Sequence, residues 1–151
     1  MTSPDRVALS AALRDAGLRV TASRLAVLSA VGEGDHLTAD QVASAVRGSV
    51  GTISTQAAYD VLGALTRAGL TRRIEPAGSP ARYETRVGDN HHHVVCRMCG
   101  AVSDVDCVVG EPPCVLPTES SGYLIDEAEV TFWGLCPTCQ TTSNPHEEET
   151  Q

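Results

Sequence analysis

Six cysteines and five histidines carry most of the chemistry open to this 151-residue chain. Four of the cysteines fall in two equal spacings, Cys96-Arg97-Met98-Cys99 and Cys136-Pro137-Thr138-Cys139, separated by residues 100–135. A CxxC turn aims two sulfurs at one point. Two such turns supply the four thiolates of a closed, tetrahedral structural Zn2+ site. The long interval makes that zinc a pin between distant segments of a small sheet. The competing chemistry is a pair of redox dithiols, but a thioredoxin-type CxxC belongs with a βαβ pattern, and no such pattern occurs here. A zinc deaminase is set aside because the HxE and PCxxC pair of motifs is missing. Cys107 and Cys114 are left over. They read as two free thiols, with an accessory redox or metal-binding pair as the alternative.

His91, His92 and His93 stand just before the first CxxC, and His36 lies far upstream. In a strand, His91 and His93 face one side and His92 the other. The carboxylates of Glu84, Asp89, Asp104 and Asp106 are at hand. Imidazoles and carboxylates without a thiolate form a hard-to-borderline donor set. It suits Fe2+ or Mn2+ in five- or six-coordinate geometry and also accepts Zn2+ or Ni2+.

The elements that must position these groups follow from periodicity. Residues 5–16 carry Val7, Leu9, Ala12, Leu13 and Ala16 at helical spacing, and Gly17 stops the helix. Thr21 is an N-cap for a second helix with Leu25, Leu28 and Val31 inward. Thr38 and Gln41 form a capping box for a third. A fourth spans residues 54–68, with Ala58, Val61, Leu62 and Leu65 on one face and Gly69 at its end. Residues 70–75 and 81–85 read as two strands around a turn at 76–80. Helices followed by a hairpin is the order of a winged helix-turn-helix. Beyond a polar tract at 86–90, strand-like runs occur at Val94-Val95, 101–105 and 129–135. Residues 108–122 hold three prolines and two glycines, which argues against a long helix there.

The net charge of −8 hides an asymmetry: residues 1–86 hold ten Arg and eight acidic residues, residues 87–151 one Arg and eleven acidic ones. Such a split points to two modules with different partners. All basic residues are arginine. Arginine suits phosphate and guanine contacts, though coding bias also yields a lysine-free composition. No run approaches the roughly 18 apolar residues of a membrane span, and no signal-peptide pattern opens the chain, so a cytoplasmic location is expected. The expected layout is α+β: a winged-helix DNA-binding domain over 1–85, a hinge at 86–90, a small α/β dimerisation and metal-binding domain with the four-cysteine zinc site over 91–140, and a disordered acidic tail over 141–151.

Several motifs, in order, resemble the ferric uptake regulator (Fur) superfamily. They are Leu18-Arg19-Val20-Thr21-Ala22-Ser23-Arg24, His36-Leu37-Thr38-Ala39-Asp40, Gln56-Ala57-Ala58-Tyr59-Asp60-Val61-Leu62 with Ala68-Gly69-Leu70, and Asp89-Asn90-His91-His92-His93-Val94-Val95-Cys96-Arg97-Met98-Cys99-Gly100. The resemblance spans about residues 8–140. Residues 87–93, 104–114 and 133–137 are closer to the actinobacterial FurA/CatR branch, which resembles PerR-type peroxide sensors and is associated with catalase-peroxidase genes. The resemblance implies a non-enzymatic, homodimeric repressor that binds a double-stranded DNA operator. It implies Cys96, Cys99, Cys136 and Cys139 as structural zinc ligands. It implies His36, Glu84, His91, His93 and Asp104 as ligands of a regulatory Fe2+ or Mn2+, whose oxidation by peroxide would fall on His36 or His91. Asp104 is like the peroxide-sensing members and Glu84 like the iron-sensing ones. A third site of some relatives, near His92 and Glu111, needs a histidine where Ala128 stands, and is not expected.

In DNA, the fourth helix is expected in the major groove. Tyr59 is placed against thymine methyls, with core packing as its alternative, and Gln56 is a second base contact. Arg19, Arg24, Arg72 and Arg73 are phosphate or minor-groove candidates. Asp60 stands where relatives often have Arg. Two other readings remain: an iron, zinc or nickel homeostasis regulator without peroxide sensing, and a thiol redox or zinc-buffering protein with no DNA partner.

Overall fold

The computed structural model describes residues 3–143, which fall into two compact units dividing between Gly88 and Asp89. The first is helical with a small sheet. Helix α1 (Ser3–Asp15) ends before Gly17, whose φ of +79° only glycine adopts without strain. Helix α2 (Ala22–Glu33) starts at Thr21, whose side chain accepts from the Arg24 backbone N–H. Strand β1 (Leu37–Thr38) runs into α3 (Ala39–Ala45), and the Thr38–Gln41 capping box forms in both directions. A short turn of helix, α4 (Arg47–Val50), follows, and then α5 (Thr55–Arg67), capped by Ser54. Leu13, Leu25, Val27, Leu28, Val31, Val42, Val46, Leu62 and Leu65 meet in one aliphatic core. Val7 is instead 69% exposed, because it lies on the face of α1 opposite Leu9 and Leu13, with exposed Ala11 and Arg14.

Strands β2 (Arg72–Ile74) and β3 (Arg82–Glu84) are the two arms of the wing, joined through a turn in which the Ser79 N–H donates to Pro76 O. The sheet order is β1-β3-β2, all antiparallel, with Leu37 opposite Tyr83 and Arg73 opposite Tyr83 on the other side. Neither β1 nor α4 is anticipated by periodicity, since two to four residues carry no pattern. β1 nevertheless decides where His36 goes.

The second unit is built on β4 (His91–Cys96), flanked by β5 (Val102–Asp106) antiparallel and β6 (Thr131–Gly134) parallel. The strands overlap the three runs expected, but β4 is longer than Val94-Val95, starting at His91, and β5 ends one residue beyond 105. Five of the six β4 residues are buried, as befits a strand paired on both sides. Helix α6 (Pro137–Ser143) closes the described chain. It occupies the first residues of the expected acidic tail, and residues 144–151 lie outside the described part. The segment between β5 and β6 forms no helix or strand. No described helix is long and apolar enough to cross a membrane.

Leu62, fully buried at the centre of the first unit, provides a test of the core. Leu62→Ala is expected to lower stability by about 2–5 kcal/mol, read as a lower urea midpoint by helical circular dichroism with an unchanged m-value.

Candidate metal centres

The four-cysteine cluster follows from strand register. Cys96 is the last residue of β4 and pairs with Gly134 of β6. Cys136 stands two residues beyond Gly134, and Cys139 sits in the first turn of α6. The Arg97 N–H donates to Gly134 O, and the Gly100 N–H closes the first CxxC turn on Cys96 O. One ligand atom from each of Cys96, Cys99, Cys136 and Cys139 lies within 4.8 Å of the others. Cys99 Sγ and Cys136 Sγ are 3.7 Å apart. Backbone N–H groups of Cys99 and Cys136 hold the Cys96 thiol down to about 6. Cys139, beside the Cys136 sulfur and buried, is pushed up to about 12. The sulfurs are thus shifted in opposite directions, Cys96 toward thiolate and Cys139 toward thiol. Four sulfurs gathered on two turns fit Zn2+.

The histidines divide as the strand alternation requires. Opposed residues of an antiparallel pair share a face, so His91 and His93 lie with Asp106 and Asp104, and His92 lies opposite Val105 on the other face. His93 Nε2 is 3.3 Å from Asp104 Oδ1 and His91 Nε2 is 3.6 Å from the same atom. The two rings meet edge to face at 4.9 Å. His91 Nδ1 contacts Asp89 Oδ1 at 2.7 Å.

In the first unit, Leu37 pairs with Tyr83. One step further along the register His36 faces Glu84, with Nε2 3.0 Å from Oε2. His36 Nδ1 lies 2.6 Å from Asp35 Oδ1, and Arg82 Nη1 donates to the His36 carbonyl. His36 is buried at φ +56°, a left-handed conformation of the kind that gathers at ligand sites.

A single pattern recurs. His36 and His91 each have a carboxylate beside Nδ1, one or two residues upstream, and a second beside Nε2. The Asp89 contact at His91 is a hydrogen bond, whereas the Asp35 contact at His36 is a close ion pair without hydrogen-bond geometry. An outer carboxylate hydrogen-bonded as Asp89 is fixes the Nδ1–H tautomer and leaves the Nε2 lone pair free for an ion. Asp89 is the positioning residue that the ligand set lacked, and Asp35 stands in the corresponding place at His36. Their signal in the sequence is an aspartate just ahead of each histidine. Buried imidazoles and carboxylates without sulfur fit Fe2+ or Mn2+.

The arginines and α5 are placed as follows. Ala58, Leu62 and Leu65 are buried, whereas Gln56, Tyr59 and Asp60 face solvent. Tyr59 is 38% exposed, which removes the core-packing alternative. Gln56 Nε2 donates to Asp60 Oδ1. Arg19 is exposed, Arg24 donates to the Arg19 carbonyl, and Arg73 pairs with Glu75 at 3.2 Å. Arg72 is half-buried on β2, opposite Glu84.

The model of the ferric uptake regulator family matches residues 15–110. "Transcriptional regulator FurA" of Mycobacterium tuberculosis is 57% identical over 136 residues, 89% of this chain and 92% of that protein. "Ferric uptake regulation protein 1" of Mycolicibacterium fortuitum is 58% identical over 128 residues, 85% of this chain and 80% of that one. Among solved structures, the Vibrio cholerae ferric uptake regulator covers 84% of this chain and 98% of its own at 26% identity and a TM-score of 0.63. The Helicobacter pylori regulator shares the fold at 19% identity and a TM-score of 0.66, covering 99% and 97%.

Protons and metal compete for the same sulfurs. Zinc affinity of the four-cysteine cluster is expected to fall as pH drops across the neutral range, because Cys139 must give up its proton to bind, and to fall more steeply below about 6, where the Cys96 thiolate is lost as well. Competition with a chromophoric chelator measures it, and an unchanged slope through 6 would mean that Cys96 is not a ligand.

Proposed function

Because the chain belongs to the ferric uptake regulator family, a family of metal-responsive transcriptional regulators, we propose that it is a metal-dependent DNA-binding repressor that responds to peroxide. Residues 1–85 are the DNA-binding domain in this reading, 86–90 the hinge, and 91–140 the dimerisation and metal-binding domain. Cys96, Cys99, Cys136 and Cys139 hold a structural Zn2+. His36, Glu84, His91, His93 and Asp104 hold a regulatory Fe2+ or Mn2+. The observation that carries the regulatory site is the repeated carboxylate–imidazole–carboxylate arrangement around His36 and His91.

The ligands lie on both sides of the hinge tract in sequence; in this reading bound metal favours DNA binding, and losing the ion, or a ligand, releases it. Bound Fe2+ supplies the one-electron chemistry that peroxide needs; Mn2+ does not supply it as readily. What the chain contributes is a pair of buried imidazoles, His36 and His91, with Asp35 and Asp89 beside their Nδ1 atoms. Oxidation of either ring removes a donor from that set. Oxidative-stress genes such as catalase-peroxidase are the corresponding targets.

In the DNA-binding domain α5 presents Gln56 and Tyr59 to the major groove, supported by their exposure opposite the buried face. Arg19, Arg24, Arg72 and Arg73 supply phosphate or minor-groove contacts. The homodimer is supported by β6, an edge strand that exposes Phe132 and Trp133, followed by exposed Leu135. Apolar edge strands in soluble proteins are usually covered. A DNA-bound regulator of this kind works in the cytoplasm.

Two experiments test the reading. Operator binding by the Fe2+ form is expected to be lost after a short H2O2 pulse, with a histidine heavier by one oxygen, while the Mn2+ form keeps binding. Loss in neither form leaves a plain metal-homeostasis regulator. Arg19→Ala is expected to weaken DNA binding and reduce the slope of log K against log salt by about one; an unchanged slope removes Arg19 from the contacts.

A further inference from the structure

A third group of donors lies on the other face of β4. His92, Cys107 and Cys114 bring one ligand atom each to within 4.8 Å of one another. Both cysteines are free and half-buried, and His92 is buried. Cys107 follows Asp106, and the alternation along β5 carries it to the face of His92 and Val105. Cys114 Sγ is 3.0 Å from His92 Nε2.

The other ring nitrogen decides what this group can do. His92 Nδ1 accepts from the Val130 backbone N–H at 3.3 Å. An imidazole that accepts at Nδ1 carries its hydrogen at Nε2. That is the reverse of His36 and His91, whose Nδ1 atoms face carboxylates. A metal ligand needs a free ring lone pair, and in His92 the Nδ1 pair is taken by the Val130 N–H while Nε2 carries the hydrogen. His92 offers sulfur a hydrogen-bond donor instead. Cys107 is set up on the same principle: the Gly110 and Val109 N–H groups and the Cys114 thiol hydrogen-bond to its sulfur and lower its pKa. Sulfur anions held by N–H donors, partly open to solvent and beside a second thiol, are the reactive kind.

We propose that Cys107 and Cys114 form a peroxide-reactive dithiol, with His92 as its positioning residue, distinct from the four-cysteine cluster and independent of any regulatory metal. The oxidant is a hydroperoxide. The Cys107 thiolate attacks one peroxide oxygen; an S–O bond forms, the O–O bond breaks, and the departing oxygen takes a proton as water or alcohol. Cys114 then attacks the sulfenic sulfur. The S–S bond forms, and hydroxide leaves and takes up the Cys114 proton as water. Two electrons pass from the sulfurs to the peroxide, and a thiol reductant restores the pair. The two residues are seven positions apart in a segment free of regular structure, so closing the sulfurs to bonding distance asks for no change in either sheet strand.

The test uses the full chain, reduced and loaded with zinc but free of iron and manganese. After brief H2O2 treatment, free thiols are alkylated and peptides mapped by mass spectrometry, with zinc counted by native mass spectrometry. The expected result is a Cys107–Cys114 disulfide with one zinc retained per chain. Cys107→Ser is expected to abolish it, and Cys114→Ser to leave a dimedone-trapped sulfenic acid on Cys107. Oxidation confined to the CxxC cysteines with zinc release would overturn the proposal. So would unoxidised Cys107 and Cys114, or a second zinc in the native chain that is lost from Cys107→Ser.

Discussion

β4 carries three consecutive histidines through the middle of a sheet, paired on one side with β5 and on the other with β6. A strand held by hydrogen bonds on both edges cannot rotate to present three neighbours to one place. His91 and His93 must go to one face and His92 to the other. Burying an imidazole is costly unless its nitrogens are satisfied. The structure meets that requirement differently on each face: carboxylates for His91 and His93, a backbone N–H and a sulfur for His92. Two chemistries are thereby kept apart by the thickness of one strand.

The same strand leads into the zinc-type cluster. Its last residue is Cys96, and its register with β6 delivers Cys136 alongside. A metal pinning the ends of β4 and β6 would also hold the β4–β6 pairing, which otherwise rests on four residue pairs. Parallel pairing across a separation of more than thirty residues carries a large loop-closure cost. A crosslink at its end offsets that cost, so the structural site and the alignment of the histidines share one physical support.

In the first unit the corresponding device is smaller. Two residues of β1 dock on β3 and set His36 opposite Glu84. The left-handed backbone of His36 carries a strain of about 1–3 kcal/mol, and it is held by Arg82 at the carbonyl and carboxylates at both ring nitrogens. Asp35 and Asp89 stand in equivalent places, beside Nδ1, in units of different architecture, and of the two Asp89 makes the orienting hydrogen bond.

Local signals determined much of this from the chain alone. The caps at Thr21 and Thr38, the stops at Gly17 and Gly69 and the apolar period of α5 depend on neighbouring residues, so the positions of α1, α2, α3 and α5 were legible. The gathering of four cysteines was legible because a CxxC turn fixes two sulfurs within four residues. Tertiary structure alone decided the rest. Which way Tyr59 points, that a two-residue strand aligns His36, and that Cys107 and Cys114 meet His92 all depend on register between segments far apart in sequence. Period and spacing describe one strand at a time, whereas register is a relation between strands, fixed by the hydrogen bonds and packing of the folded sheet.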